Sequence, residues 1–278
     1  MCRWLAYSGS PVLLDALLYK PKHSLIDQSR HAEMGAETTN GDGFGIGWYP
    51  TDPAAGGTPA AFRGIGPAWS DVNLHSLADH ITSPLFFAHV RASSGSAVQE
   101  TNCHPFRHER WMWMHNGSIH DFARMKRDLV MAVDPELYPM IQGTTDSETM
   151  FFLALTFGLR DDPVTAVERM VGFVESTADK HGIANPVQMT VATTDGETTW
   201  AFRYSTQHQS RTLFYNTEVE TLRRLHPEVA PLRLVSDESR LIVSEPIGVM
   251  ADAFQEVPES TYSVIHRGQD RMSAFNPR

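Results

Sequence analysis

The stretch that decides the fold is residues 110–117, RWMWMHNG, because the chain changes there from strands to helices. Its apolar first part, 110–114, is typical of a strand. The pair Asn116-Gly117 that follows is typical of a turn. An apolar stripe at helical spacing comes next and predicts a helix over 119–131. We therefore expect a strand, a turn and a helix in immediate succession.

Strand-like segments lie on the N-terminal side of this stretch. Residues 43–49, GFGIGWY, alternate glycine with Phe44, Ile46 and Trp48, which is the period of a strand. Residues 51–60 are rich in proline, glycine and alanine, which predicts a loop that joins two strands. Further strands are predicted at 2–7, 61–66 and 85–91.

Helices and then more strands lie on the C-terminal side. Apolar residues at helical spacing predict helices over 146–158 and 163–178. Strands on both sides of a central helical block predict an α+β fold, in which helices pack over antiparallel sheets. The C-terminal strands are predicted at 187–194, 198–204, 211–215, 240–245 and 261–266.

The composition narrows the class of protein. The 278 residues include 23 Lys and Arg against 33 Asp and Glu, so the formal net charge is −10. This acidic balance argues against a nucleic-acid partner. No apolar run is long enough to cross a bilayer, and residues 1–10 lack the pattern of a signal peptide. Two cysteines allow at most one disulfide, which favours a reducing, cytoplasmic location.

Cys2 is the candidate nucleophile. Removal of Met1 would leave one residue that carries both a thiol and a free α-amine. The pKa of an α-amine is about 7.7–8.0, so part of it is unprotonated near neutral pH and can accept the thiol proton. Taken alone, Cys2 is more consistent with a small residue near a terminus that has no catalytic role.

Arg91 and Asp146 are candidate substrate-binding groups. Arg91 ends an apolar strand, where a planar guanidinium can hold a carboxylate by two parallel hydrogen bonds. Asp146 follows Thr145, which with Glu148 has the spacing of a capping box, so a helix is predicted to begin there. Asp146 is then placed to bind a substrate ammonium group. The alternatives are a surface ion pair for the arginine and a charge that complements the helix dipole for the aspartate.

Asn116 and Gly117 are a candidate oxyanion site. A turn from strand to helix would expose backbone N–H groups near a helix N-terminus, and Asn116 adds a side-chain amide donor. An ordinary turn is the alternative. Together with Cys2, Arg91 and Asp146, this pair supplies the groups needed to bind the α-carboxylate and α-ammonium of a free amino acid and to attack its side-chain amide.

Several motifs carry a resemblance to a known family. They are MCRWLAYSG (1–9), NGDGFGIGWY (40–49), FAHVRASSG (87–95), NCHPF (102–106), MHNGSI (114–119), TTDSE (144–148) and SEP (244–246). In this order they resemble the class II glutamine amidotransferases, which have an N-terminal cysteine and the Ntn-hydrolase fold. The stand-alone, YafJ-type subgroup is the most similar, and it includes the γ-glutamyl hydrolase of ergothioneine biosynthesis.

The resemblance implies a four-layer αββα sandwich with two mainly antiparallel sheets, formed by a single domain over 2–278 without a synthase domain. It implies that Cys2 is the nucleophile and that Arg91 binds the substrate α-carboxylate. It further implies that Asn116 and Gly117 form the oxyanion hole, and that Asp146 contacts the α-amino group. One departure is visible: larger members have a Trp and then a Thr-His pair after the arginine, whereas residues 92–95 here are ASSG.

We therefore expect an N-terminal-cysteine amidohydrolase that cleaves glutamine through a γ-glutamyl thioester. The expected partners are a small-molecule substrate and a separate ammonia-accepting synthase. One alternative is a hydrolase of a γ-glutamyl amide or γ-glutamyl peptide-like metabolite, and another is an inactive γ-glutamyl-binding protein. No cofactor is expected. GDGFGIG lacks the spacing of a dinucleotide fingerprint, which argues against a nucleotide cofactor. No metal is expected either, because Pro105 interrupts the His104–His108 spacing.

Overall fold

The computed structural model describes residues 2–35, 38–52, 54, 56–93, 95–216, 219, 223–224, 236–248 and 254–278. The strands are β1 (Arg3–Leu13), β2 (Phe44–Trp48), β3 (Ala60–Gly64), β4 (Thr82–Val90), β5 (Phe106–His108), β6 (Trp111–Ile119), β7 (Val187–Thr194), β8 (Thr198–Ser205), β9 (Phe214–Asn216), β10 (Arg240–Val243), β11 (Phe254–Glu256), β12 (Thr261–His266) and β13 (Gln269–Ala274). The helices are α1 (Asp15–Leu18), α2 (Leu25–Arg30), α3 (Val72–His80), α4 (Phe122–Met131), α5 (Asp146–Thr156) and α6 (Pro163–Lys180).

The described strands form two sheets. The first sheet has seven strands in the order β11-β9-β10-β1-β4-β2-β3, and the second has six in the order β13-β12-β8-β7-β6-β5. Each strand pairing among the described residues is antiparallel. The predicted joining of two strands by the 51–60 loop is confirmed, because β2 and β3 pair directly across it. Within this loop, Pro53 and Ala55 lie outside the described residues.

Three apolar layers separate the sheets and helices. Between the two sheets lie side chains such as Trp4 and Phe87 of the first sheet and Met114 of the second. The outer face of the first sheet packs on α1–α3, and the outer face of the second packs on α4–α6. This helix–sheet–sheet–helix arrangement confirms the predicted four-layer αββα fold.

The glycines of β2 allow a close approach between the sheets. A Cβ atom on Gly45 would lie 2.1 Å from the carbonyl oxygen of His104. No side chain fits into that space, so glycine is required on the face of β2 that looks between the sheets. The alternation of glycine with larger residues over 43–49 is therefore explained by the close packing of the two sheets.

The junction at residues 110–131 differs from the prediction. β6 continues through Asn116 and Gly117 to Ile119, and α4 begins only at Phe122. The predicted turn at Asn116-Gly117 is therefore wrong. The physical reason is pairing: residues 112–119 form an uninterrupted register with β7, and this tertiary contact overrides the local turn preference.

Several elements were not predicted from the sequence. They include the helices α1, α2 and α3 of the first sheet's outer layer and the short strands β5 and β11. The four residues of α1 and the six of α2 are too few to show a helical period. None of the helices in the described ranges has both the length and the apolar character that a membrane span requires.

Candidate active site

Cys2, Arg91 and Asn116 extend rows of side chains that lie between the two sheets. Successive residues of a strand alternate between its faces. Cys2 therefore shares the face of Trp4 in β1, and Asn116 shares the face of Met114 in β6, both within the inter-sheet core. Arg91 follows the same alternation in β4. The structure thus places three of the predicted site residues on facing surfaces of the two sheets.

Cys2 lies beside the end of β4. Arg3 of β1 pairs with Val90 of β4, so the same register places Cys2 opposite Arg91. The Cys2 Sγ lies 3.6 Å from the carbonyl oxygen of Ala92. Burial raises the pKa of the Cys2 thiol. A separate base is therefore needed to remove the thiol proton near neutral pH.

Arg91 is buried and held by neutral hydrogen-bond acceptors. Its guanidinium donates to the carbonyl oxygen of Asp42 (3.1 Å), to the hydroxyls of Ser93 (3.2 Å) and Ser96 (2.6 Å), and to the carbonyl of Ala97 (3.3 Å). No carboxylate contacts the guanidinium among the described residues. Its charge is therefore available to an anionic ligand.

Asn102 joins the loop that follows Arg91 to the loop before α5. Its amide nitrogen donates to the carbonyl of Ala97 (2.9 Å) and to the hydroxyl of Thr144 (3.1 Å). Its amide oxygen accepts a hydrogen bond from the Thr144 backbone N–H (2.8 Å). This fully buried side chain, from the NCHPF motif, therefore fixes the two candidate substrate-binding segments relative to each other.

Asp146 is the first residue of α5. One carboxylate oxygen accepts a hydrogen bond from the backbone N–H of Ile119 at the end of β6 (2.8 Å), and the other accepts from the backbone N–H of Ser147 (2.8 Å). The predicted helix start is confirmed, with the Thr145 hydroxyl accepting from the Glu148 N–H. The carboxylate of Glu148 instead binds upstream N–H groups at 142–143, so only half of the predicted capping box forms.

The backbone N–H of Gly117 lies on the edge of β6 that faces away from β7. Beyond Trp113, β6 pairs with β7 but not with β5. The Ile119 N–H donates to Asp146, whereas the His120 N–H turns back to Pro186 next to β7. Because N–H directions alternate along a strand, the Gly117 N–H lies on the same edge as that of Ile119. A donor on this unpaired edge can serve an oxyanion without a helix N-terminus.

Glycine is required at position 117. Its φ is +148°, and a Cβ atom would lie only 1.9 Å from the carbonyl oxygen of Gln188. An L side chain would therefore push β6 away from β7 at the point where the oxyanion donor is predicted.

Comparison with known proteins identifies the family. The profile of the class II glutamine amidotransferases matches residues 19–274. The chain belongs to the class II glutamine amidotransferases. It is 32% identical over 293 residues to the probable glutamine amidotransferase DUG3 of Saccharomyces cerevisiae, covering 96% of this chain and 82% of that one. It is 28% identical over 205 residues to the γ-glutamyl-hercynylcysteine sulfoxide hydrolase of Mycolicibacterium smegmatis, covering 71% and 81% of the two chains.

Solved structures agree with this assignment. A class II glutamine amidotransferase-domain protein from Silicibacter pomeroyi superposes with a TM-score of 0.72 at 29% identity, over 100% of both chains. The glutamine phosphoribosylpyrophosphate amidotransferase of B. subtilis has a TM-score of 0.64 at 14% identity, over 100% of this chain and 50% of that one, and it shows the shared Ntn-hydrolase fold. The protein is therefore an amide-hydrolysing enzyme of this family.

A buried ion pair between Arg3 and Glu245 contacts the backbone of Cys2 in this amidotransferase. The Arg3 Nε donates to the Glu245 carboxylate (2.6 Å), and another Arg3 nitrogen donates to the carbonyl oxygen of Cys2 (3.0 Å). Glu245 also accepts from His23 (2.6 Å) and from the backbone N–H groups of residues 33–34. Although burial opposes ionisation of Glu245, these donors lower its pKa to about 2. The sequence offered only the SEP motif as a signal of this network.

Buried histidines surround the candidate site. The rings of His89 and His104 are 4.2 Å apart, and the His115 Nδ1 contacts the Ser147 hydroxyl of α5 at 2.8 Å. Burial lowers the pKa of each of the three histidines, that of His89 to about 3. They are therefore neutral beside the guanidinium of Arg91. Among the described residues, no group of three or more His, Cys, Asp or Glu side chains is arranged to hold a metal ion.

Proposed function

We propose that this amidotransferase uses Cys2, freed at the N-terminus, to cleave the side-chain amide of glutamine through a γ-glutamyl thioester. The observation that carries the proposal is the position of Cys2 opposite Arg91, on the face of β1 that looks toward Asn116. This arrangement brings a thiol next to a buried cation that has no acidic partner among its described contacts.

In the proposed reaction, Arg91 binds the substrate α-carboxylate and Asp146 binds the α-ammonium group. The α-amine of Cys2 accepts the thiol proton, and the sulfur attacks the amide carbon. Asn116 and the Gly117 N–H stabilise the negative charge on the former carbonyl oxygen. The α-amine then gives its proton to the leaving nitrogen, and the C–N bond breaks. Water hydrolyses the thioester, which releases glutamate and regenerates the thiol.

The required base explains why the nucleophile must be N-terminal. Burial raises the thiol pKa, and the neighbouring histidines are buried on other elements with lowered pKa values. An α-amine on the same residue, with a pKa of about 7.7–8.0, supplies a base at fixed distance. In the cell, the ammonia would pass to a separate synthase.

The test is glutamate release from glutamine by protein whose intact mass shows loss of Met1. We expect Cys2→Ala to abolish release and to prevent labelling by a glutamine-like diazo-ketone. Cys103→Ala is the matched control, because Cys103 is the other free cysteine and is fully buried. Full activity in Cys2→Ala would reject the mechanism. A wild-type protein that binds γ-glutamyl ligands but neither hydrolyses glutamine nor reacts with the electrophile would be a binding protein.

A second candidate function is hydrolysis of a γ-glutamyl amide whose amine half is larger than ammonia. The observation that favours it is the 28% identity to a relative named as a γ-glutamyl-hercynylcysteine sulfoxide hydrolase. Incubation with glutamine and with several γ-glutamyl amides, followed by analysis of the released amines, separates the two functions.

A further inference from the structure

A second arginine, Arg211, lies three residues before β9, on the side of β10 away from β1. The Ser244 N–H at the end of β10 donates to the Trp4 carbonyl oxygen of β1 (3.1 Å). Arg91 lies opposite Cys2 on the other side of β1. Since neighbouring strands are about 4.8 Å apart, the segment that carries Arg211 lies about 10 Å from β1, measured between backbones.

Hydrogen bonds join β1, the end of β10 and the segment before β9. The Trp4 N–H donates to the Ser244 hydroxyl (2.9 Å), and the Thr212 hydroxyl donates to the Ser244 carbonyl oxygen (2.8 Å). Trp4 is two positions from Cys2, and Thr212 is next to Arg211. Direct contacts on both sides of residue 244 therefore hold the Arg211 segment in place relative to β1.

The segment that carries Arg211 is anchored next to the inter-sheet core that Cys2 faces. Leu213, two residues later, packs in that core together with Trp4 and Ile242. Arg211 therefore lies at the border of the space between the sheets.

The arginines near Cys2 differ in what binds them. Arg3 is paired with Glu245, and Arg91 is held by hydroxyl and carbonyl oxygens. Within the described part of the chain, the guanidinium of Arg211 has no hydrogen bond or ion pair, and its buried Nε lacks a partner. Burial and then the charge of Arg3 lower the pKa of Arg211, and the negative charge of Cys2 raises it by a smaller amount, so the guanidinium lies in the neighbourhood of both residues.

We propose that Arg211 binds an anionic group on the amine half of a γ-glutamyl substrate. This inference rests on the proposed function, because it assumes that the glutamyl half binds at Arg91 and that its amide carbon reaches Cys2. The amine half then extends from the sulfur away from Arg91, across the end of β10 toward Arg211.

The chemistry of this arrangement selects a class of substrate. A buried guanidinium nitrogen without a partner, such as the Nε of Arg211, is costly, and a carboxylate that pairs with it removes that cost. Glutamine releases ammonia, which carries nothing that could reach Arg211. A γ-glutamyl amino acid carries a carboxylate on its amine half, so the preferred substrate is a γ-glutamyl peptide with an acidic amine half.

A matched pair of substrates tests the inference. γ-Glutamylglycine and γ-glutamylglycinamide differ only in whether the amine half ends in a carboxylate or in a neutral amide. For the wild type we expect kcat/KM to be about 10- to 100-fold higher for γ-glutamylglycine, the value of one charge-assisted hydrogen-bonded pair. Arg211→Gln should reduce this ratio to about one, and Arg211→Lys should retain part of it.

Glutamine turnover controls for folding and for the nucleophile. Arg211→Gln should hydrolyse glutamine at the wild-type rate with an unchanged pH profile. Arg240→Gln is the matched arginine control. Arg240 lies on β10 opposite Ser8, far from Cys2, and is paired with Asp270, so the substrate ratio should stay unchanged.

The outcomes separate the two proposals. A wild-type ratio near one, or a high ratio that survives in Arg211→Gln, overturns the role of Arg211 and leaves the Cys2 mechanism intact. An equal loss on all three substrates with a shifted pH profile also overturns it, because Arg211 would then act on the thiol. Failure of the wild type to hydrolyse any of the three substrates, glutamine included, overturns the proposed function instead.

Discussion

The two sides of the candidate site are held by different kinds of contact. On the side of β1 and β10, a buried carboxylate and guanidinium, Glu245 and Arg3, form an ion pair. On the side of β4 and α5, Arg91 and Asn102 are held by hydroxyl, amide and backbone groups. An ion pair neutralises both of its members, whereas neutral acceptors leave the charge of an arginine uncompensated. The charges on the first side therefore balance each other, whereas the second side keeps a positive charge that an anionic ligand could pair with.

The largest expected effect is on the side of β1 and β10. Glu245→Ala removes the Glu245 carboxylate from its ion pair with buried Arg3, which should lower the free energy of unfolding by about 3–5 kcal/mol. Chemical denaturation measures this loss. Glu197→Ala is the control, since the Glu197 side chain is 65% exposed and contacts Arg110 only at 3.7 Å. Equal stability of the two variants would contradict the supporting role of the ion pair.

A smaller and different effect is expected on the side of β4 and α5. Arg91→Ala removes the proposed carboxylate contact, so KM for glutamine should rise about 10- to 100-fold with a smaller change in kcat. Steady-state kinetics measure both constants, and an unchanged dependence on substrate concentration would count against the contact. Arg107→Ala is the control, because Arg107 is bound to the carbonyl of Pro59 in a different region.

The smallest expected effect is a pH dependence on the side of β1 and β10. The hydrogen bond to Glu245 raises the pKa of His23 above its ordinary value of 6.5. A raised folded-state pKa means that the stabilisation from protonated His23 is fully present below about pH 6.5 and is lost as pH rises through the folded pKa. Unfolding measured from pH 6 to 9 should show this decline, and His23→Asn should remove it. A wild-type profile identical to that of His23→Asn would disprove the coupling.

The sequence predicted the elements whose signals are local. The alternation in β2, the capping of α5 by Thr145 and the apolar stripe of α6 each depend on residues within a few positions of one another. The residues of the candidate site were predicted in the same way, from short motifs around Cys2, Arg91 and 116–117. Their assigned roles in catalysis and binding stay predictions that the experiments above address.

The errors arose where a distant segment decides the local structure. Asn116-Gly117 has a strong turn signal, but pairing with β7 extends the strand through it. The Gly117 N–H is therefore presented from a strand edge and not from a helix N-terminus.

The sequence by itself indicated the α+β class through its periodicity, and its short motifs indicated the family and, through the resemblance, the αββα arrangement and the residues proposed to react, because periodicity and short motifs are properties of neighbouring residues. Only the tertiary structure decided how the charges are paired. Arg3 and Glu245 are 242 positions apart, yet they form a contact of 2.6 Å. Arg211 carries the same charge next to the same sheet, and its buried Nε has no partner among the described residues. Electrostatic energy depends on distance and burial in space, so the chain order alone could not show which arginine is neutralised and which remains open to a ligand.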